Sequence, residues 1–493
     1  MDQTATSTHT TMKRELGLLD STMIVSGSMI GSGIFLVTSD MARTVGSPGV
    51  LLLIWLLTGV ITLIAALSYG ELAGMMPKAG GQYVYLKEAY NPMIGFLFGW
   101  TVFMVIQTGV IAAVAIAFAK YTAELIPFFD EQHILLDLGF FQFNATQFLA
   151  LVLIAFLTFV NLQGIKNAKI LQTVFTLAKI LSLIGLIILG IYFGLNSDAF
   201  KANIQDFWTT YSVKQNADGS VTTEMLSGVV LWGAIGAAMI GSLFSSDSWN
   251  NITYTAGEVK DPQRNIPLSL FFGTLIVTIL YILANVAYIM LLPIHGSPEG
   301  AGVIGKGIMF ATQDRVGTAA ASIIFGNAAV TVMALLIMVS TFGCNNGLIL
   351  SGARLYYAMA KDGVFFEKAG TLNKKDVPGF ALILQAIWAS ALCLSGSYGQ
   401  LLDYCTFSSL LFYMVTIIGL FILRKKRPEW ERPYKAFGYP VLPALYIIIA
   451  AAICVDLLIY KPDTCGWGLL IVFLGIPVYF LWKRFGNQSV LSD

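Results

Sequence analysis

Apolar runs of about 20 residues recur along nearly the whole 493-residue chain, and no other feature restricts its fold as much. A bilayer core is about 30 Å thick and offers no water to unpaired peptide groups, so such runs cross it as helices. Hydrophobic residues make up 56% of the chain and charged residues 12%, half of the roughly 25% usual in soluble domains. Mean hydropathy is +0.75. The expected class is an all-α integral membrane protein that crosses a cell membrane many times.

Polar breaks separate twelve runs, at 18–42, 49–76, 93–126, 146–162, 170–194, 226–257, 267–292, 318–359, 380–395, 400–423, 440–460 and 466–483. The eighth is too long for one crossing, so its end is expected to project into the cytoplasm. The opening "MDQTATSTHTTM", followed by Lys13 and Arg14, fits a retained first helix rather than a cleaved leader. With a cytoplasmic N-terminus, 21 of the 29 Lys and Arg fall on cytoplasmic segments and seven on outer ones, leaving Lys179 inside a run. That bias predicts both chain ends on the cytoplasmic side.

Several chemistries are set aside. The five cysteines (Cys344, Cys393, Cys405, Cys454, Cys465) show no metal or disulfide spacing, and His9, His133 and His295 are far apart. "GAGVIGKG" at 300–307 has the spacing of a phosphate-binding loop, but Gly307 stands where Ser or Thr is needed and no strand precedes it. The largest hydrophilic insert, 195–225, is too small for an independent enzyme. No cofactor, metal or nucleic acid is implied, and no catalytic constellation is found.

The first run contains "SGSMIGSGIF", where Gly27, Gly31 and Gly33 alternate with serines in a helix that should favour Leu. Non-helical backbone survives at that depth only beside protein or a water-filled cavity. An unwound turn there would turn free N–H groups, at the positive end of the following half-helix, toward an anion such as a carboxylate. Close packing of small residues is the plainer alternative. "AIGAAMIGSLFSSDSWNN" (234–251), in the sixth run, repeats the pattern and adds Asp247. Two interrupted helices, first and sixth, at matching places in two five-helix halves point to an inverted-repeat transporter with its site between them.

Lys179 lies about ten residues into the fifth run, about 15 Å at helical rise. A lysine at bilayer centre costs roughly 2.5–3.5 kcal/mol. Snorkelling to the cytoplasmic edge is one reading. The other turns Lys179 inward, donating to carbonyls freed by a broken helix and filling the role of a bound sodium ion.

These residues resemble the amino acid–polyamine–organocation superfamily and, within it, the L-type amino acid transporters, as a bacterial stand-alone member. The resemblance rests on "MIGSGIF" with "GSPGVLLLIW", "LSYGELAGMMPKAGGQYVYLKEAY", "VFTLAKILSL", "WNNITYTAGEVKDPQRNIPLSL", "FGCNNGLILSGARLYY", "RKKRPEWERPYK" and "GIPVYFLW", in that order along nearly the whole chain. It implies a LeuT-type fold: inverted five-helix repeats at 18–194 and 226–423, then two helices at 440–483, working by alternating access. It implies that backbone amides of Gly31, Ser32, Gly33 and Ile34, following Met29 and Ile30, hold the substrate α-carboxylate. The α-ammonium would meet carbonyls of Met29, Phe244 and Asp247, with Phe244 as outer gate. Ser245 belongs to the same break, and Asn250 matches a pocket-lining position. The family's helix-five lysine maps to Lys179 and goes with sodium independence; Thr341, Cys344 and Asn345 are expected near Lys179 or the substrate.

Two departures from the family pattern matter. Animal members join an ancillary glycoprotein through a cysteine between helices three and four, but "ELIPFFDEQHILLDLGFFQFN" contains none. No disulfide-linked heavy chain is therefore expected, leaving the amino acid substrate and the lipid bilayer as partners. Asp247 stands where several members have Gly, either to attract a cationic or hydroxylated side chain or, as favoured here, to cap the second half of helix six. Glu71 is expected to make a structural or gating contact, and Glu258 and Arg264 to organise the cytoplasmic end of helix six. The expected function is sodium-independent exchange of neutral amino acids. A proton-coupled permease of the same fold is the nearest rival, and a non-translocating amino-acid sensor a more distant one.

Overall fold

The structure, a computed structural model, describes residues 12–139, 142–215, 220–395, 398–460 and 462–485. The chain ends whose cytoplasmic placement the sequence predicts, and His9, lie outside the described residues. Among the described residues, ten helices are long and apolar enough to cross a membrane. Gly379–Leu394 is a shorter apolar helix, and the first run is divided into Leu18–Met29 and Val37–Val45.

Local chemistry sets many helix starts. Ser47 accepts the Val50 amide just before Pro48, and Asn91 does the same for Ile94 before Pro92. Asn144 and Gln147 cap each other's backbone at the start of Ala145–Leu162.

Four stretches depart from a plain helical reading. The third run widens into a π turn at Val102–Ile106, between Pro92–Thr101 and Gln107–Ala123. The eighth is split near Gly326 (φ 56°) into Val316–Phe325 and Ala329–Lys361. The second piece has 33 residues, about 50 Å at helical rise, so it still outruns a bilayer core. Two polar inserts form antiparallel hairpins, Ile134–Asp137 with Gln142–Asn144 and Tyr211–Gln215 with Val221–Met225. In the second hairpin, β-branched Val213, Val221, Thr222 and Thr223 favour extended backbone.

Packing brings the two interrupted runs together. Leu18–Met29 lies against the fifth, seventh and eighth runs, whereas Val37–Val45 lies on the sixth. The sixth also packs on the second, tenth and eleventh. At the end of the bundle richest in Lys and Arg, Glu258 accepts from Arg354 at 2.8 and 3.0 Å, with both side chains buried. Glu71 accepts from Arg424 at 2.8 and 2.6 Å and from the Ala436 amide at 2.7 Å. Removing one partner of the buried Glu258–Arg354 pair would cost about 3–5 kcal/mol. These pairs give Glu71 and Glu258 structural partners. Backbone bonds from Glu15 and Leu16 to the Glu258 carbonyl, and from Lys260 to the Leu16 carbonyl, stitch the entry of the first run to the exit of the sixth.

Candidate functional site

The first helix stops where its glycines and serines begin. Ile30 still donates to the Ser26 carbonyl at 3.0 Å, but its own backbone is extended (φ −77°, ψ 101°). The chain turns through Gly31 and Ser32 and restarts as a 3-10 turn, Gly33–Phe35. Among the described residues, the Gly31 and Ser32 amides find no protein acceptor. Those of Gly33 and Ile34 open the new helix, where the first N–H groups have no partner within it. Four amides thus stand in sequence at the positive end of a half-helix.

The carbonyls freed by the break are claimed by side chains of the fifth and eighth runs. Lys179, 1% exposed, places its ammonium 2.5 Å from the Gly27 carbonyl, 2.7 Å from that of Ile30 and 3.4 Å from that of Ser340. An ammonium has three donors, and here it meets three acceptors. It turns inward and does not snorkel. Ser340 donates to the Gly31 carbonyl at 2.9 Å, and the Cys344 thiol to that of Ser28 at 3.1 Å. Gln172 and Thr176 turn to the Met23 carbonyl one turn earlier.

The sixth helix breaks differently. Gly228–Ser245 ends, Ser248 takes a left-handed conformation (φ 68°), and a single helical turn follows at Asn251–Tyr254. The Phe244 carbonyl accepts the Asp247 amide at 3.2 Å, and the Phe244 side chain is partly buried. The Asp247 carboxylate faces the tenth run, accepting from Tyr413 at 2.5 Å and from Ser409 at 3.2 Å. It forms no ion pair among the described residues and does not cap Asn251–Tyr254, whose N-cap is Asn250. Asn250 donates to Gln82 at 2.8 Å and Tyr254 at 2.9 Å and accepts from Tyr413 at 3.1 Å. Beside this network lies a cavity of about 30 Å³, bordered by Thr62, Asp247, Ser409, Tyr413 and Tyr446, which is room for about one water.

The two breaks touch. A methyl on Gly33 would stand 2.3 Å from the Ser245 hydroxyl oxygen and 3.3 Å from its Cα, so only glycine fits. The Tyr281 hydroxyl joins them, lying 3.2 Å from the Met29 carbonyl and 3.1 Å from that of Ser245. Gly27 packs equally tightly on Gln172 and Thr176, so close packing and unwinding coexist in one stretch.

Several participants escaped sequence reasoning. Nothing in the sequence marks Tyr281, Ser340, Gln172 or Thr176 beyond a polar atom inside an apolar run. On the eighth run, Cys344 reaches the first break, but the Thr341 hydroxyl returns to its own helix at Ile337, 2.7 Å away. Asn345 is fully buried, with neither amide atom partnered.

The family description "Amino acid permease" matches residues 16–482. "Large neutral amino acids transporter small subunit 2" of Homo sapiens is 30% identical over 475 residues, covering 95% of this chain and 80% of that one. "Asc-type amino acid transporter 1" of Mus musculus is 28% identical over 478 residues (95% and 81%). "b(0,+)-type amino acid transporter 1" of Mus musculus is 28% identical over 494 residues (98% and 91%).

Proposed function

The chain belongs to the amino acid permease family, and on that premise we propose that it is a sodium-independent exchanger of neutral amino acids working by alternating access. It is a multi-pass membrane protein, and its place is the plasma membrane. The observation that carries the reading is the ammonium of Lys179 on the Gly27 and Ile30 carbonyls, next to the unclaimed amides of Gly31 and Ser32. In this reading the substrate carboxylate lies on the amides of residues 31–34. The permanent cation holds the break open where another design would need a bound ion.

The finer architecture belongs to the same proposal. The ten long helices, Gly379–Leu394 and the divided first run together make twelve crossings. Residues 18–194 and 226–423 form the inverted halves, residues 440–483 add two helices, and the basic end is cytoplasmic. The protein acts without a disulfide-linked heavy chain, since its outer loop between the third and fourth runs contains no cysteine.

Exchange is tested with purified protein in liposomes. Vesicles preloaded with one neutral amino acid take up a labelled second one, whereas empty vesicles take up little. Equal uptake into empty vesicles would overturn exchange. One observation favours a second reading, proton-coupled uptake: Asp247 is a carboxylate in the membrane interior held only by neutral donors, a group able to carry a proton. Acid-stimulated uptake that Asp247→Asn abolishes would select it.

A further inference from the structure

At the basic end of the bundle, between the second and seventh runs, lies a groove of about 900 Å³ whose lining includes none of the residues of the two helix breaks. Leu63 and Leu67 of the second run form one wall, and Leu268 and Phe271 of the seventh form the other. Arg264, Lys435 and Phe437 stand at its mouth. From these residues, we infer that the groove binds an anionic glycerophospholipid, its headgroup on Arg264 and Lys435 and an acyl chain along the second and seventh runs.

The layout is amphipathic in the sense a phospholipid requires. Leu63 and Leu67 lie 8 to 12 residues before Met75, about 12–18 Å along the helix, at acyl-chain depth. They continue a stripe at helical spacing whose earlier members, Leu53, Leu56 and Val60, are 39%, 47% and 45% exposed. The seventh run has a matching exposed line through Phe272, Ile279 and Leu283. An acyl chain leaving the groove therefore stays on apolar surface.

The charged end is equally specific. Arg264 belongs to the first turn of Pro262–Leu291, at the helix edge, and is exposed. Lys435 is exposed in the segment after the tenth run. Neither forms an ion pair with a described residue, nor do the acids nearest in sequence, Asp261 and Glu431, approach them as partners. The backbone beside Lys435 is held in place. Glu71 grips Arg424 and the Ala436 amide, which fixes Lys435 and Phe437 on either side, and Tyr434 packs on Gly70. Two unpaired cations over an apolar floor complement an anionic headgroup, and zwitterionic lipid gains less from them.

Retained lipid tests the inference independently of transport. Protein is extracted from vesicles containing equal amounts of phosphatidylglycerol and phosphatidylcholine with matched chains, and bound lipid is measured by mass spectrometry. Phosphatidylglycerol is expected to be enriched on the unaltered protein. The Arg264→Ala and Lys435→Ala changes should each lower the enrichment about fivefold, and Arg264→Lys should preserve it. Washing the unaltered protein in about 1 M salt, where the Debye length is about 3 Å, should strip the lipid without any mutation. Three results would overturn the assignment: equal retention of both lipids, enrichment unchanged in the double variant, or a photo-cross-linker replacing Phe437 that captures a second copy of this chain instead of lipid.

Discussion

The two helix breaks meet through Gly33, Ser245 and Tyr281, yet they are held open in opposite ways. At the first, a cation sits on backbone: Lys179 spends its donors on carbonyls and leaves the amides of Gly31 and Ser32 free. At the second, an anion sits on side chains: Asp247 draws donors from Tyr413 and Ser409, and Asn250 ties the turn to Gln82 and Tyr254. The difference separates the tasks. The first break leaves polar backbone without a partner, whereas the second commits its polar side chains to one another and to neighbouring helices. Substitutions at the first should therefore damage transport most.

The largest loss is expected at Lys179. Lys179→Met keeps the side-chain length but strands carbonyls that were matched, at about 1–3 kcal/mol each. Initial uptake should fall about a hundredfold, and thermal unfolding in detergent should come several degrees earlier. A variant with normal uptake would erase the distinction between the breaks.

Next come the glycines. Gly33→Ala forces its methyl against Ser245 and should cost about 1–3 kcal/mol, read as a tenfold or greater loss of uptake. Gly31→Ala meets only Cys344 Sγ at 3.6 Å, an ordinary contact, so its protein should be as stable as the parent. Any loss of binding in that variant reports on the ligand side of the turn. Equal thermal stability of the two variants would contradict the close approach of the breaks.

Asp247→Asn keeps shape and most hydrogen bonds and removes a charge. Neutral exchange is expected to fall no more than about fivefold, since the Asn oxygen can still accept from Tyr413 and the net loss is that of one ordinary hydrogen bond, about 1 kcal/mol. The smallest contrast is on the eighth run. Ser340→Ala should cost about 1 kcal/mol in the unfolding transition, and Thr341→Val less than about 0.5, because only Ser340 leaves its own helix.

That last pair shows where the sequence stops being informative. The positions of both breaks, the inward lysine and most helix limits could be read from glycine, serine and charge placed against long apolar runs. The contact made by Ser340 and not by Thr341 could not. Much of Ala329–Lys361 is buried around its whole circumference, so no apolar stripe marks which face meets which neighbour. One residue turns the side chain by about 100°. Tyr281 was hidden for the same reason: its partners, the Met29 and Ser245 carbonyls, become acceptors only once both helices stop. The π turn at Val102–Ile106 has no residue signature in that apolar stretch. Asp247 is the instructive case, since its spacing suited a cap, whereas Tyr413 and Ser409, about 160 residues away in sequence, hold its carboxylate.

Ion replacement tests the central claim most directly. Preloaded liposomes containing the unaltered protein are assayed for initial uptake of a labelled neutral amino acid, with external sodium or with choline in its place. If the Lys179 ammonium does at the first break what a bound cation would otherwise do, the two rates are equal. Uptake that vanishes in choline and returns with sodium would contradict the account.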